Sequence, residues 1–306
     1  MMTAPLAVLY EHPRWFEPLF AALQRRGMAA AKVDARSLVF DPASPTLPAE
    51  LIFNRVAMSA PQRDEEHSIF HAMAALDHWR RRGARIINGP EVMAIDASKA
   101  RQLSLIEALG LATPRTRVIH RLAELCEAAR AIGFPLLVKA NIGGAGAGIV
   151  RYDAMTEIDA AIEAGTVPQS VDQVLLVQAY VEPRGRRICR VETLDGKFLY
   201  AIDIAVDGNF DLCPADACQI PGRSVTMTAT NPPPELIAAA EAIAGAAGLD
   251  VGGVEYVIDD RDGTARFYDI NALSNFVANP LDVLGWDPHD RLVDFIQHKI
   301  EARNRS

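Results

Sequence analysis

The chain has 306 residues, half of them apolar, and a formal charge of −8. That length allows two or three subdomains around a substantial core, and the acidic balance argues against a general nucleic-acid or anionic-membrane surface. Cys126, Cys189, Cys213 and Cys218 are too few and too scattered for a disulfide framework. The first apolar run, Leu6 to Leu9, is too short for a signal or membrane segment. A cytoplasmic protein acting on small molecules is expected, without nucleic-acid or membrane partners.

In chain order, LAVLY, a helix over Trp15 to Arg26, AAAKVDA, ELIFNRVA, a helix from Asp64 to Arg82 and ARIIN give a βαβ rhythm, which predicts an open α/β domain over 1–95. Asn88-Gly89-Pro90 reads as the turn that closes it. Asp96 reads as the N-cap of a helix through Leu109, with Lys99 in its first turns and Gly110 just past its end. A second unit, 96–178, contains RVIH, a helix over Leu122 to Ile132, the strand PLLVK, a glycine run, GIVRY, a helix over Glu157 to Ala164 and the strand QVLLVQAYV. The remainder, 179–306, is strand-rich, with hairpin turns at Asp195-Gly196 and Asp207-Gly208 and helices over Pro233 to Ala247 and Pro288 to Arg303, the last packing as a cap.

Three segments could carry chemistry. Lys139 ends an apolar strand and is followed by Gly143, Gly144, Gly146 and Gly148, a run whose N–H groups can turn toward an anion. It fits neither familiar phosphate motif, because Ile149 stands where a Walker lysine would be and no G-x-G-x-x-G can be drawn. The alternative is a hairpin tip with a solvated lysine. The apolar strand Val174 to Pro183 could wall a purine ring and offer main-chain groups to its edge, or be a plain buried strand.

The third segment is Gly253 to Asn271. Val254, Tyr256 and Ile258 alternate with Glu255 and Val257, and Phe267, Asp269 and Asn271 alternate with Tyr268 and Ile270, so both runs read as strands. Pairing symmetric about Asp262 sets Glu255 opposite Asp269, with Asn271 further along the same face. Facing carboxylates repel unless one holds a proton or a cation bridges them, and with an amide oxygen they form the hard donor set magnesium accepts. A solvated strand face is the alternative. Cys213 and Cys218 have no matching pair and read as free thiols rather than zinc ligands. His67 and His71, at i, i+4 on a predicted helix, lack a third ligand and read as a solvated face.

The order of these pieces, helix lysine, strand lysine with glycine loop, apolar strand, then E…D-x-N hairpin, resembles the ATP-grasp superfamily, in particular the branch with glutathione synthetase and the glutamate ligases that modify a ribosomal or carrier protein. The resemblance runs from Leu6 to Val293 and is strongest from Lys99. It implies an α/β (α+β) ATP-grasp fold in which two α+β subdomains sandwich ATP. It makes Lys99 and Lys139 phosphate-contacting lysines and Gly143 to Gly148 the loop that closes over the phosphates. Gln178, Ala179, Tyr180 and Val181 resemble the adenine hinge, with main-chain contacts at Ala179 and Val181. Glu255, Asp269 and Asn271 match the ligands of magnesium, with manganese as an alternative, and Arg190 aligns with an arginine reaching phosphate or the reacting acyl group.

The chain departs from that pattern in places. Ala179 stands where the hinge usually carries an acid, with Glu182 as the candidate substitute, and Ile188 stands where relatives have an aspartate. ALSNF follows Asn271 in place of small residues and proline, making Ser274 and Asn275 candidate acceptor contacts. DLCPADACQIPGR replaces an arginine-glycine stretch. Asn54, Arg55 and Arg223 are candidate substrate contacts. The resemblance implies a carboxylate–amine ligase joining a small-molecule or peptide carboxylate to an amine through an acyl phosphate, with ADP released. A nucleotide-binding scaffold without turnover and a simple phosphotransferase are the alternatives, and a monomer or homodimer is left open.

Overall fold

The structure is a computed structural model, and it describes residues 4–12, 14–63, 66–144, 148–205 and 226–303. Gly146, Arg223, the Asp207-Gly208 turn, Cys213 and Cys218 lie outside the described residues.

β1 (Leu6–Tyr10), α1 (Glu17–Arg25), β2 (Ala30–Asp34), β3 (Leu51–Arg55), α2 (Ile69–Arg81) and β4 (Arg85–Ile87) build a parallel sheet of order β2-β1-β3-β4. β3 is buried along its whole length, Asn54 and Arg55 included, and β1 along all but its last residue, as parallel strands covered on both faces should be. α2 starts at Ile69 rather than Asp64, so His67 precedes the helix and only His71 lies on it, against the Phe40 ring at 5.6 Å. The i, i+4 helical pair read from the sequence therefore does not exist.

A short helix that sequence periodicity does not reveal, α3 (Pro90–Asp96), follows at once. Gly89 is its cap, Pro90 its first residue and Glu91 the acid of its first turn, an ordinary helix start that reads as a turn in isolation. Asp96 thus ends α3 instead of capping the next helix. That cap is Ser98, whose Oγ accepts the Arg101 N–H at 3.3 Å and leaves Lys99 as the first residue of α4 (Lys99–Ala108).

β5 (Thr116–Ile119), α5 (Leu125–Ile132), β6 (Leu136–Ala140), β7 (Ile149–Tyr152), α6 (Met155–Ala164) and β8 (Leu175–Ala179) form an antiparallel sheet of order β5-β8-β6-β7. Leu125, Ile132 and Ile158 of its helices pack on Leu136, Val138 and Val177 of its strands. β9 (Arg187–Leu194), β10 (Lys197–Ala205), β11 (Met227–Thr230), α7 (Pro234–Ala247), β12 (Val251–Ile258) and β13 (Ala265–Asn271) give an antiparallel sheet of order β11-β10-β9-β12-β13. Asp195 and Gly196, at φ 53° and 73°, make the β9–β10 turn.

After α8 (Pro280–Val283), α9 (Pro288–Arg303) buries Leu292, Val293 and Ile296 in one cluster with Leu6, Val8 and Leu19 of the parallel sheet layer and Ile202 and Val251 of the last sheet. Among the described residues, no helix is long and apolar enough to cross a membrane.

Candidate active site

β12 and β13 pair with Glu255 opposite Asp269 and Gly253 opposite Asn271, the register that symmetry about Asp262 predicts. The symmetry then breaks. A bulge next to Glu255 shifts the register by one, so Tyr256 faces Phe267 and Val257 faces Arg266. Phe267 therefore does not share the face of Asp269 and Asn271. Its ring packs on Tyr256 at 5.4 Å, in the core with Val254 and Ile270. Tyr268 turns instead toward the site, where the Lys139 Nζ stands 5.4 Å from its ring centroid.

Charges of alternating sign meet on this face. The Lys99 Nζ donates to Asp269 Oδ1 at 2.6 Å from the first turn of α4. Burial opposes the Lys99 charge, but Asp269, Glu255 and Asp96 hold its ammonium above the ordinary lysine value. Arg190, on the strand beside β12, donates through Nη1 to Glu255 Oε1 at 3.1 Å and through Nε to Glu192 Oε1 at 2.6 Å. Glu192 Oε1 also accepts from Ser274 Oγ at 2.8 Å. The guanidinium lies across Gly253, where a Cβ would sit 2.6 Å from Arg190 Nε, so only glycine allows that path.

Lys139 is 8% exposed on β6, and burial together with the charge of Lys99 depresses its ammonium to about 8. Burial raises the Glu255 carboxyl, with Asp269 adding to it and Arg190 opposing. Asp96 is lifted to about 7 by burial, although it accepts the Ala272 N–H at 3.2 Å.

The donor chemistry fits a magnesium ion. Glu255 and Asp269 supply carboxylate oxygens side by side, and Asn271, now donating its Nδ2 to Glu255 Oε1 at 3.2 Å, presents an amide oxygen after a simple flip. Among the described residues no group of three or more His, Cys, Asp or Glu could hold a metal, so the third protein donor to such an ion would be the Asn271 amide. A nucleotide base fits the apolar slot next to Lys139, walled by Leu137, Ile149, Ile188, Val257 and Tyr268 and floored by Gln178 to Val181. The Ala179 N–H is committed to Arg115 O and that of Tyr180 to Pro135 O; no backbone partner among the described residues takes that of Val181. Glu182 follows the slot and accepts the Asp260 N–H through its carbonyl. Gly143 and Gly144 follow β6, and Gly148, at φ 70°, leads into β7 with its α-carbon face against Ala140.

Of the candidate substrate contacts, Arg55, Ser274 and Asn275 come together. Arg55 is buried and its Nη2 donates to Ser274 O and to Asn275 Oδ1. Burial lowers its guanidinium to about 9 against the pull of Glu192 and Asp96. Asn54 is occupied structurally, donating to Asn88 O at 3.1 Å and accepting the Val56 N–H at 3.1 Å.

Sequence reading misses Glu192, Asn141, Tyr268 and Asp96. The first two carry a signal in hindsight, each standing two residues beyond a predicted site residue on the same strand run, Arg190 and Lys139. Asn141 accepts the Ala100 N–H at 2.9 Å and donates to Asp172 at 2.6 Å, fixing the start of α4 to the end of β6.

The model of the RimK-like ATP-grasp domain matches residues 96–276, more than half of the chain. Among solved structures, the chain resembles a RimK domain ATP-grasp protein from Sphaerobacter thermophilus (TM-score 0.69, 18% identity, covering 95% of this chain and 99% of that one). It also resembles D-cycloserine synthetase DcsG (0.68, 19%, 97% and 99%) and the ATP-grasp ligase PsnB in complex with minimal precursor, Mg and ADP (0.67, 18%, 98% and 99%). No curated protein matches the chain in sequence. At such identities these structures speak to the fold, which is the ATP-grasp fold, while the domain match speaks to kinship. The chain belongs to the RimK-like ATP-grasp family.

Proposed function

We propose that the chain is an ATP-dependent carboxylate–amine ligase acting on a small-molecule or peptide carboxylate. The observation that carries this reading is the meeting of Lys99, Lys139 and Arg190 with Glu255, Asp269 and Asn271 beside an apolar slot. PsnB, solved with Mg and ADP, shares the fold and supports the same reading.

In the first step a substrate carboxylate oxygen attacks the terminal phosphorus of ATP, and the bridging oxygen leaves with ADP. In the second an amine attacks the acyl carbon, phosphate leaves and the amine proton passes to solvent. Lys139 and Lys99 would hold the phosphates, and Arg190, fixed by Glu192, would offset the charge that develops on the transferring group. Magnesium between Glu255, Asp269 and Asn271 would offset phosphate charge. The intact cation set favours turnover over a scaffold role.

The test is ADP release with paired acids and amines. Wild type turns over with a productive pair and yields an amide, whereas Asp269→Ala and Lys139→Ala fall about a hundred- to a thousandfold. Normal turnover in either variant sinks the reading, and ADP without amide makes the protein a phosphotransferase.

A further inference from the structure

A second polar cavity lies in the N-terminal part of the chain. It has a volume of about 150 Å³ and is lined by Glu11, His12, Arg36, Arg63, His67 and Ser68. Ser68 is the residue from which the thirteen-residue helix α2 starts, and its side chain makes no capping bond. Its Oγ is buried without a partner in a residue only 6% exposed, and His67 Nδ1 is likewise buried and unpartnered. The unsatisfied first-turn N–H groups of a helix and its positive dipole end favour an anion at this place.

Two acceptors in the cavity wall are already taken. Glu11 Oε1 accepts Arg63 Nη2 at 2.6 Å, and His12 Nδ1 accepts the N–H groups of Arg14 at 3.3 Å and Trp15 at 3.2 Å. That fixes His12 as the tautomer with its proton on Nε2, a donor. Burial and the neighbouring Arg63, Arg14 and Arg36 lower its imidazole to about 4, so the ring is neutral in a positive field. Arg36 is paired on its outer side with Asp34. With the Glu11 carboxylate matched by Arg63, the donors left among the lining residues are His12 Nε2, the Ser68 hydroxyl and the guanidinium N–H groups of Arg36 and Arg63 that these pairs do not use.

We propose that this cavity is a binding site for a small oxyanion, a carboxylate or phosphate group seated on the N-terminus of α2. It lies next to the glycine loop: Gln62 donates to Gly144 O at 2.6 Å, and Ser59, which accepts Arg63 Nη1 at 2.9 Å, packs against Gly144. An anion held by Arg63 therefore steadies the turn on which that loop rests.

Titration of the full-length protein with glutarate and with inorganic phosphate, followed by calorimetry, tests the site. One or both anions should bind in one-to-one ratio. Binding should weaken about tenfold in Ser68→Ala and in Arg36→Gln, the worth of one charge-assisted hydrogen bond. Melting temperature should be unchanged in both variants, and affinity unchanged in Lys139→Ala, which disturbs only the nucleotide site. Glutarate alone assigns the cavity to a carboxylate-bearing substrate, phosphate alone to free phosphate. Absence of both from wild type, or binding that Lys139→Ala removes and Ser68→Ala and Arg36→Gln retain, overturns the proposal. None of these readouts depends on ligase turnover.

Discussion

Lys139 shows how one residue couples burial to ligand binding. Its ammonium loses protons near pH 8 in the folded chain, against 10.5 for an unperturbed lysine. Between those values the unfolded chain binds more protons than the folded one, so this residue makes stability rise with pH across that window. Phosphates held by Lys139, as the proposed reaction requires, would reverse the depression by supplying the missing negative charge. Nucleotide binding at pH 9 should therefore take up close to one proton, seen as a dependence of calorimetric enthalpy on buffer ionisation heat. Lys139→Arg, charged throughout, should bind without that uptake. Equal uptake in both proteins would show that another group titrates.

At the scale of elements, the path of the Arg190 side chain from β9 over its neighbour β12 depends on a missing side chain. In Gly253→Ala the new Cβ would meet Arg190 at 2.6 and 2.9 Å and Glu192 Oε1 at 2.9 Å, so the buried ion pair must move. The expected cost is about 1–3 kcal/mol in urea unfolding, with activity lost alongside. Wild-type stability and activity would mean that Arg190 does not need this path.

The same hairpin shows how far the sequence could be read. Alternation and turn residues are local, so β12, β13 and the Glu255–Asp269 pairing were legible. The bulge is not, because the side that Tyr268 takes is settled by Lys139, on another sheet, and by the slot that the two sheets line together. α3 was hidden for a related reason: Gly89-Pro90 begins a helix or a turn equally well, and packing of Val92 and Met93 decides it. Lys99 was found although its cap was misplaced from Ser98 to Asp96, since either start puts the lysine in the first turn. Asp96 at the site and the cavity at Ser68 are products of tertiary placement.

At the largest scale, Asn88 is one of the ties between the first and last sheets. Asn88 is 1% exposed; its Nδ2 donates to Val251 O at 2.6 Å and Ala272 O at 2.7 Å, and its Oδ1 accepts the N–H of Asp250 at 3.0 Å. Its φ of 51° is one that asparagine tolerates better than most residues. Asn88→Ala should cost about 3 kcal/mol by leaving buried main-chain groups unpaired. Because α9 joins the parallel sheet to the last one in a single core, that loss should appear as one shifted transition in denaturant. Two separate transitions would show that the sheets unfold independently.

The proposed reaction needs a nucleotide and a metal to meet at Asp269. The direct measurement is calorimetric titration of wild type and Asp269→Ala with a non-hydrolysable ATP analogue, with and without magnesium. Binding that magnesium strengthens in wild type and not in the variant is the predicted result. A well-folded wild type that binds no analogue, or a variant that keeps the magnesium effect, would contradict it.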